Sequence, residues 1–333
     1  MATVGNTFPT MLDIAKRMDP DGGIANIVES MVKYNPILED IAWQEGNLPT
    51  GHRYTSRTAL PSLSWRRFNQ GVPRSKSITE QNDETVGMLE GFSQVDEDLA
   101  DLNGNNVAFR ASEDTAFLQS MNLEVATGLF YHSVVNTPEK FQGLTPRFNA
   151  TAGNPAAGQI IKADAAASGA DQTSIWLVGW SSNTVFGIFP KGSRAGLRQE
   201  DLGKQLVQDG AGNNYVAYTT KWQWKMGLVV RDWRYLVRIC NIDTSNIKAD
   251  LSTGADLVLS MLDAYAAVFE MNTVNPVYYM NRATYSMLNK QLVKKGTANL
   301  LEYIDRGGRR IPSFYGIPIR IVDAVTNNES VVV

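Results

Sequence analysis

The side chains with the most chemistry to offer are few and far apart. The chain has two histidines, His52 and His132, and one cysteine, Cys240. Neither histidine has a nucleophile motif such as G-x-S-x-G beside it, so both read as structural. Cys240 lies in the apolar run LVRICNI. It can form no internal disulfide and no Cys-rich metal site, and it reads as a small core residue. Asp96 and Asp98 could act as general acid and base, but they fall in a strongly acidic run where solvated charges are the simpler reading. GAGNN at 210–214 lacks the third glycine of a dinucleotide loop, and no Walker A string occurs. DPDGG at 19–23 opens like a calcium loop but lacks the later acidic ligands and contains a proline, so it reads as a turn. Lys76, on an exposed loop, could form an isopeptide bond to an asparagine of another chain. The sequence marks neither that asparagine nor the assisting acid, and a surface lysine is the simpler reading. No catalytic, metal or cofactor site is expected, and the chain does not read as an enzyme.

The elements that would hold such residues point elsewhere. With 333 residues, 43% of them hydrophobic and 20% charged, the chain can bury a core and is long enough for two or three domains. Its net charge of −3 argues against a dedicated nucleic-acid-binding module. No basic region leads into an apolar one at the start, and no apolar run approaches the eighteen or so residues of a membrane span. The expectation is a soluble protein made in a reducing compartment.

The charge is segregated along the chain. Residues 46–79 contain six basic residues, Arg53, Arg57, Arg66, Arg67, Arg74 and Lys76, and no acid. Residues 77–109 contain eight acids, Glu80, Asp83, Glu84, Glu90, Asp96, Glu97, Asp98 and Asp101, and no Lys or Arg. HRYTSRTAL and SWRRFNQ, set between recurring prolines and glycines, read as the two strands of a basic hairpin. A two-stranded hairpin is barely stable alone, so this one is expected to pack on a partner. Three outcomes are open. The blocks lie on one compact face and pair within the subunit, they are unrelated solvated faces, or the hairpin projects and docks on the acidic surface of a neighbouring copy, where charge sets register more than affinity.

The remaining pattern mixes helices and strands. A short helix is expected at 10–18 and an amphipathic one over 24–32. Ser112 reads as the N-cap of a long helix over 112–136, stopped at Thr137-Pro138, with Phe117, Leu118, Met121, Val125, Leu129 and His132 along its apolar stripe. Such a helix spans roughly 37 Å. Residues 151–169 read as a loop with a short Ala-rich helix, and strands are expected at 174–180, 184–189, 215–222 and 226–239. The Gly-rich stretch 191–214 reads as an exposed tip. One further helix carries Leu257, Val258, Met261, Leu262, Tyr265 and Phe269. Another runs over 282–295, with Asn281 as N-cap and Gly296 just past its end. FYGIPIRIVD at 314–323 closes the chain as a well-patterned strand, with Ile317, Ile319 and Ile321 on one face.

The order of these parts, with VYYMNRATYSMLNKQL at 277–292 and FYGIPIRIVDA at 314–324, resembles the major capsid proteins of tailed double-stranded DNA bacteriophages. The likeness is nearest to those of short-tailed, podovirus-like phages. It implies an α+β chain with the Hong Kong 97 fold. Residues 1–43 would be an N-terminal arm and 44–80 an extended loop overlying an adjacent subunit. Residues 81–150 with 305–333 would form a peripheral domain containing the spine helix, its sheet completed by FYGIPIRIVD. Residues 151–304 would form an axial domain whose tip, 191–214, gathers at the symmetry axes.

The resemblance also implies a function. Copies would assemble as pentamers and hexamers into an icosahedral shell, in the host bacterial cytoplasm, enclosing double-stranded DNA through nonspecific contacts. Arg53, Arg57, Arg66, Arg67, Arg74 and Lys76 would be inter-subunit contacts. Glu80, Asp83, Glu84, Glu90, Asp96, Glu97 and Asp98 would be their acidic partners. A portal, a decoration protein and a scaffolding protein would be further partners; the scaffold is expected to be a separate chain because the sequence starts almost directly with its arm. An encapsulin-like shell around enzyme cargo is the alternative.

Overall fold

A computed structural model describes residues 35–101, 106–153, 155–209, 211–248, 253–297, 301–306 and 309–333. The helices expected at 10–18 and 24–32 and the turn at 19–23 lie outside these residues. In chain order the first elements are α1 (Ile37–Asp40), β1 (Trp43–Glu45), β2 (Gly51–Ala59), β3 (Ile78–Thr85), β4 (Gly87–Asp96), α2 (Glu97–Ala100) and α3 (Asn106–Tyr131). Strands follow: β5 (Ile160–Lys162), β6 (Gln172–Trp180), β7 (Val185–Phe189), β8 (Leu197–Gln208), β9 (Asn214–Val230) and β10 (Leu236–Asp243). The chain finishes with α4 (Leu257–Ala267), β11 (Asn275–Met280), α5 (Arg282–Lys295), β12 (Leu301–Arg306), β13 (Arg309–Phe314) and β14 (Ile317–Ile321).

β6 and β10 are buried at every residue, as central strands covered on both faces must be. The alternation of side chains divides β6 between two cores. Trp176, Val178 and Trp180 face one core with Val125, Ala126, Leu129 and Phe130 of α3. Ile175 and Leu177 face the other, with Leu257, Val258, Met261 and Ala264 of α4 and Leu288 and Leu292 of α5. The sheet is therefore a middle layer, with α3 on one side and α4 and α5 on the other. Its order is β12-β13-β14-β11-β6-β7-β9-β4, with β10 also on β6 and β8 also on β9. β2 and β3 form a separate two-stranded sheet.

Several boundaries differ from those expected. α3 runs over Asn106–Tyr131, not 112–136. Ser112 lies inside it, and the chain leaves the helix before His132. SWRRFNQ forms no strand; the partner of β2 is β3, drawn from the start of the acidic stretch, in the register His52↔Glu84 and Arg53↔Asp83. Residues 215–230 belong to one continuous strand, β9. The Gly-rich excursion contains the twelve-residue strand β8, and 157–159 form only a turn of 3-10 helix.

The end of the chain answers to its pattern. Tyr315 and Gly316, both with positive φ (52° and 75°), turn β13 into β14. β14 then pairs in parallel with β11, Ile319 opposite Tyr278. Ile317 and Ile319 are buried while Arg320 reaches across to Asp40 at 3.0 Å. This closing strand thus joins the sheet through β11, within the residues that the resemblance assigned to the axial domain. Among the described residues β8, assigned to the axial tip, pairs with β9 alone, which carries β4 on its other edge under α3.

Candidate assembly surface

The β2–β3 hairpin is fixed at its base and open beyond it. At the base, Gly51 crosses Glu84 so closely that a Cβ would lie 1.9 Å from the Glu84 carbonyl oxygen. Tyr54 Oη donates to the Val230 carbonyl at 3.0 Å. Arg147 donates to both carboxylate oxygens of Glu84, at 2.5 and 2.7 Å, and Glu84 is buried. Beyond Ala59 the chain forms no ladder until Ile78, and every residue from Leu60 to Lys76 is exposed.

That loop carries large apolar side chains fully in the open. Trp65, Phe68 and Leu63 are 104%, 96% and 93% exposed, and Leu60 is 77% exposed. Exposed apolar patches of this kind mark interaction surfaces. Covering side chains of this size stabilises by about 2 to 3 kcal/mol each, whereas an exposed ion pair contributes about 0 to 1 kcal/mol. The apolar residues therefore dominate the affinity this loop can supply, and its charges set register. The charge pattern masked them in the sequence; four large apolar residues within a Pro- and Gly-rich stretch were the available signal.

Among the basic residues, Arg53 forms an exposed two-pronged pair with Asp83 across the hairpin, at 2.6 Å. Arg57, Arg66, Arg67, Arg74 and Lys76 form no ion pair among the described residues. Most of the acids are engaged within their own subunit. Besides Asp83 and Glu84, Glu90 pairs with Lys221 at 3.2 Å and also accepts from Gln223. Glu97 pairs with Lys204, and Asp96 caps α2 by accepting from the Asp98 backbone N–H at 3.0 Å. Glu80 and Asp98 carry exposed carboxylates with no partner among the described residues. The acidic run is thus mainly an internal fastening that ties β3, β4 and α2 to the subunit body.

The residues with chemical potential are dispersed. The His52 ring stands edge-on to Phe186, and burial followed by the charge of Arg231 pushes its pKa down. His132 lies against Phe141, its Nε2 3.2 Å from Glu124 and 3.3 Å from Lys140. Burial, then Lys140, lowers its pKa. Cys240 is buried, which pushes its thiol up to about 11. Among the described residues no group of three or more His, Cys, Asp or Glu could hold a metal ion, and no helix is long and apolar enough to cross a membrane. Among the described residues these groups do not converge on one place.

Known structures share this architecture. A chain of the bacteriophage epsilon15 structure is 38% identical, with all of this chain and 99% of that one covered and a TM-score of 0.79. The capsid of bacteriophage JBD30 matches at 8% identity over 89% of this chain and 93% of that one, TM-score 0.50, a likeness of fold. The Synechococcus elongatus encapsulin SrpI matches at 11% identity over 66% of this chain and 93% of that one, with a TM-score of 0.43, too low to weigh for the encapsulin alternative. No curated protein sequence matches the chain. The chain is a bacteriophage capsid subunit of the Hong Kong 97 fold. The family model "Major capsid protein GP7" matches residues 19–333, and the chain belongs to that family.

Proposed function

We propose that copies of this major capsid protein close as pentamers and hexamers into an icosahedral shell around double-stranded DNA. The observation that carries the reading is the loop 60–77, whose Leu63, Trp65 and Phe68 find no cover among the described residues. A limb of this kind is stabilised by whatever binds it, and many weak contacts multiply on closure. The loop would lie on an adjacent subunit with Arg57, Arg66, Arg67, Arg74 and Lys76 at its rim, and Glu80 and Asp98 are the carboxylates left to receive them. Arg53, Asp83, Glu84, Glu90, Asp96 and Glu97 would then act mainly by holding each subunit's own shape.

Residues 1–43 would serve as the arm. The strand pairing favours a peripheral unit of α3, β4, β8 and β9, and an axial unit of β6, β10, β11, α4 and α5 closed by β14. Assembly would occur in the host cytoplasm with a scaffolding protein, a portal and a decoration protein. Contact with DNA would be through phosphates only. The chain would act by assembly alone, without turnover.

The test is electron microscopy of the expressed protein with its phage's assembly proteins. Closed particles that retain genomic DNA when made in infected cells support the reading. Particles enclosing a host enzyme would favour the encapsulin alternative, and a protein that stays monomeric at high concentration would overturn both.

A further inference from the structure

We propose that the helical layer of α4 and α5 forms the contact between neighbouring copies within a ring, the open face of α4 in one copy against the open face of α5 in the next. The proposal rests on the shell reading above. α4 has one charged residue, Asp263, in eleven positions. One of its faces is spent on the core through Leu257, Val258, Met261 and Ala264. Yet a second apolar stripe looks outward: Leu259 is 54% exposed, Tyr265 38%, and Phe269, just past the helix end, 62%. A helix apolar on nearly all sides belongs in an interior, and here the interior is missing on one side.

The turn between β13 and β14 extends that stripe. Tyr315 and Gly316 are the two central residues of that hairpin turn, which sets both at positive φ. The turn presents the Tyr315 ring 5.7 Å from that of Tyr265, half-exposed. Asp263 and Glu270 rim the stripe, both exposed and without an ion pair among the described residues.

α5 carries the complement. It contains Arg282, Lys290, Lys294 and Lys295 and no acid. Lys295 is taken by Asp256, at 2.5 Å, and Arg282 by Asp323, at 3.5 Å. Lys290 and Lys294 are left exposed, and Val293 between them is 70% exposed. The acid-rimmed stripe of α4 and the lysines flanking Val293 on α5 form no ion pair with each other among the described residues, so a neighbouring copy is free to supply the complement of each. Unlike patches that meet head to tail generate closed rings, which is the geometry that pentamers and hexamers require.

The experiment compares the wild type with Leu259→Glu, Asp263→Lys, Lys294→Asp, and the Asp263→Lys/Lys294→Asp double variant, all under assembly conditions. Sedimentation reads capsomers and shells, and circular dichroism melting reads folding of each subunit. Expected are unchanged melting, a roughly tenfold or greater loss of assembled particles for each single variant, and recovery in the double variant, where the swapped charges meet again. If the wild type assembles and every folded single variant assembles equally well, this inference fails and the shell reading stands. If the wild type does not assemble at all, the shell reading fails and takes the inference with it.

Discussion

Arg147, beyond the C-terminal end of α3, holds Glu84 at the root of the β2–β3 hairpin through two parallel hydrogen bonds. Both side chains are largely withdrawn from water, at 18% and 9% exposure. The hairpin is thus anchored to the segment that follows the spine helix, and its free part begins only beyond that clasp. Removing one member of such a pair leaves the other buried and uncompensated. Arg147→Met is expected to cost about 3 kcal/mol, measured by urea denaturation. Arg53→Met, which breaks an exposed pair, should leave the denaturation midpoint nearly unchanged. Equal losses for the two would show that the Glu84 clasp is not what fixes the root.

Loop 60–77 should be dispensable for folding and needed for assembly. Trp65→Ser with Phe68→Ser is expected to leave the melting temperature within error and to abolish shells in electron micrographs. Arg66→Glu with Arg67→Glu should also block them, by reversing charge at the rim. Normal particles from the charge reversal but not from the apolar variant would show that the apolar residues carry the contact alone.

The core pair Arg238–Glu329, 2% and 5% exposed at 2.7 Å, also binds Ser174 and the Phe148 carbonyl. Glu329→Gln strands the guanidinium in a dry interior and should cost about 3 to 5 kcal/mol by the same denaturation assay. An unchanged midpoint would mean that water reaches Arg238.

The His132 cluster sets a pH response. Its pKa in the folded state lies below the ordinary value, through burial and then Lys140. The unfolded chain therefore binds the proton more readily. The stability involved is fully present above about pH 6.5 and is lost as pH falls below that, through the folded-state value. Glu124, whose pKa is lowered chiefly by Lys140, acts in a separate window below about pH 4.3. Stability profiles of the wild type and His132→Gln should diverge as pH falls below about 6.5, and superimposable profiles would sink the assignment. Gly128→Ala tests the same contact sterically, because its Cβ would meet the His132 ring at 2.4 Å.

Cys240 should be silent to thiol reagents in the folded protein. Its thiol is buried and its pKa is pushed up to about 11. Labelling is expected only on unfolding, at a rate that follows the denaturation curve; rapid labelling of native protein would contradict the buried placement.

What was legible in the sequence was whatever repeated a local rule. Asn281 caps α5 by accepting from the Thr284 N–H, and Gly296 ends it at φ 68°, as their types required. The apolar runs of β6 and β10 became central strands. β3 escaped notice because ITEQNDET has solvent on both sides and so no apolar period to read. The start of α3 was misplaced because Ser112 looks like a cap, while Asn106 follows a stretch without apolar rhythm. The role of the acids was set by the residues opposite them, Lys221, Lys204 and Arg147, more than forty positions away in sequence, where no local pattern could show it. The resemblance to phage capsid proteins held because it rested on the order of parts.

The strand that closes the sheet has one more effect, on timing. β11 lacks its parallel neighbour, and Arg238 its carboxylate, until β14 and Glu329 have been synthesised. A growing chain on the ribosome therefore keeps its central layer unfinished until both of these segments have emerged. Polysomes crowded with nascent subunits would be guarded against premature lattice growth, because a subunit whose central layer is incomplete lacks the shape its sisters must recognise.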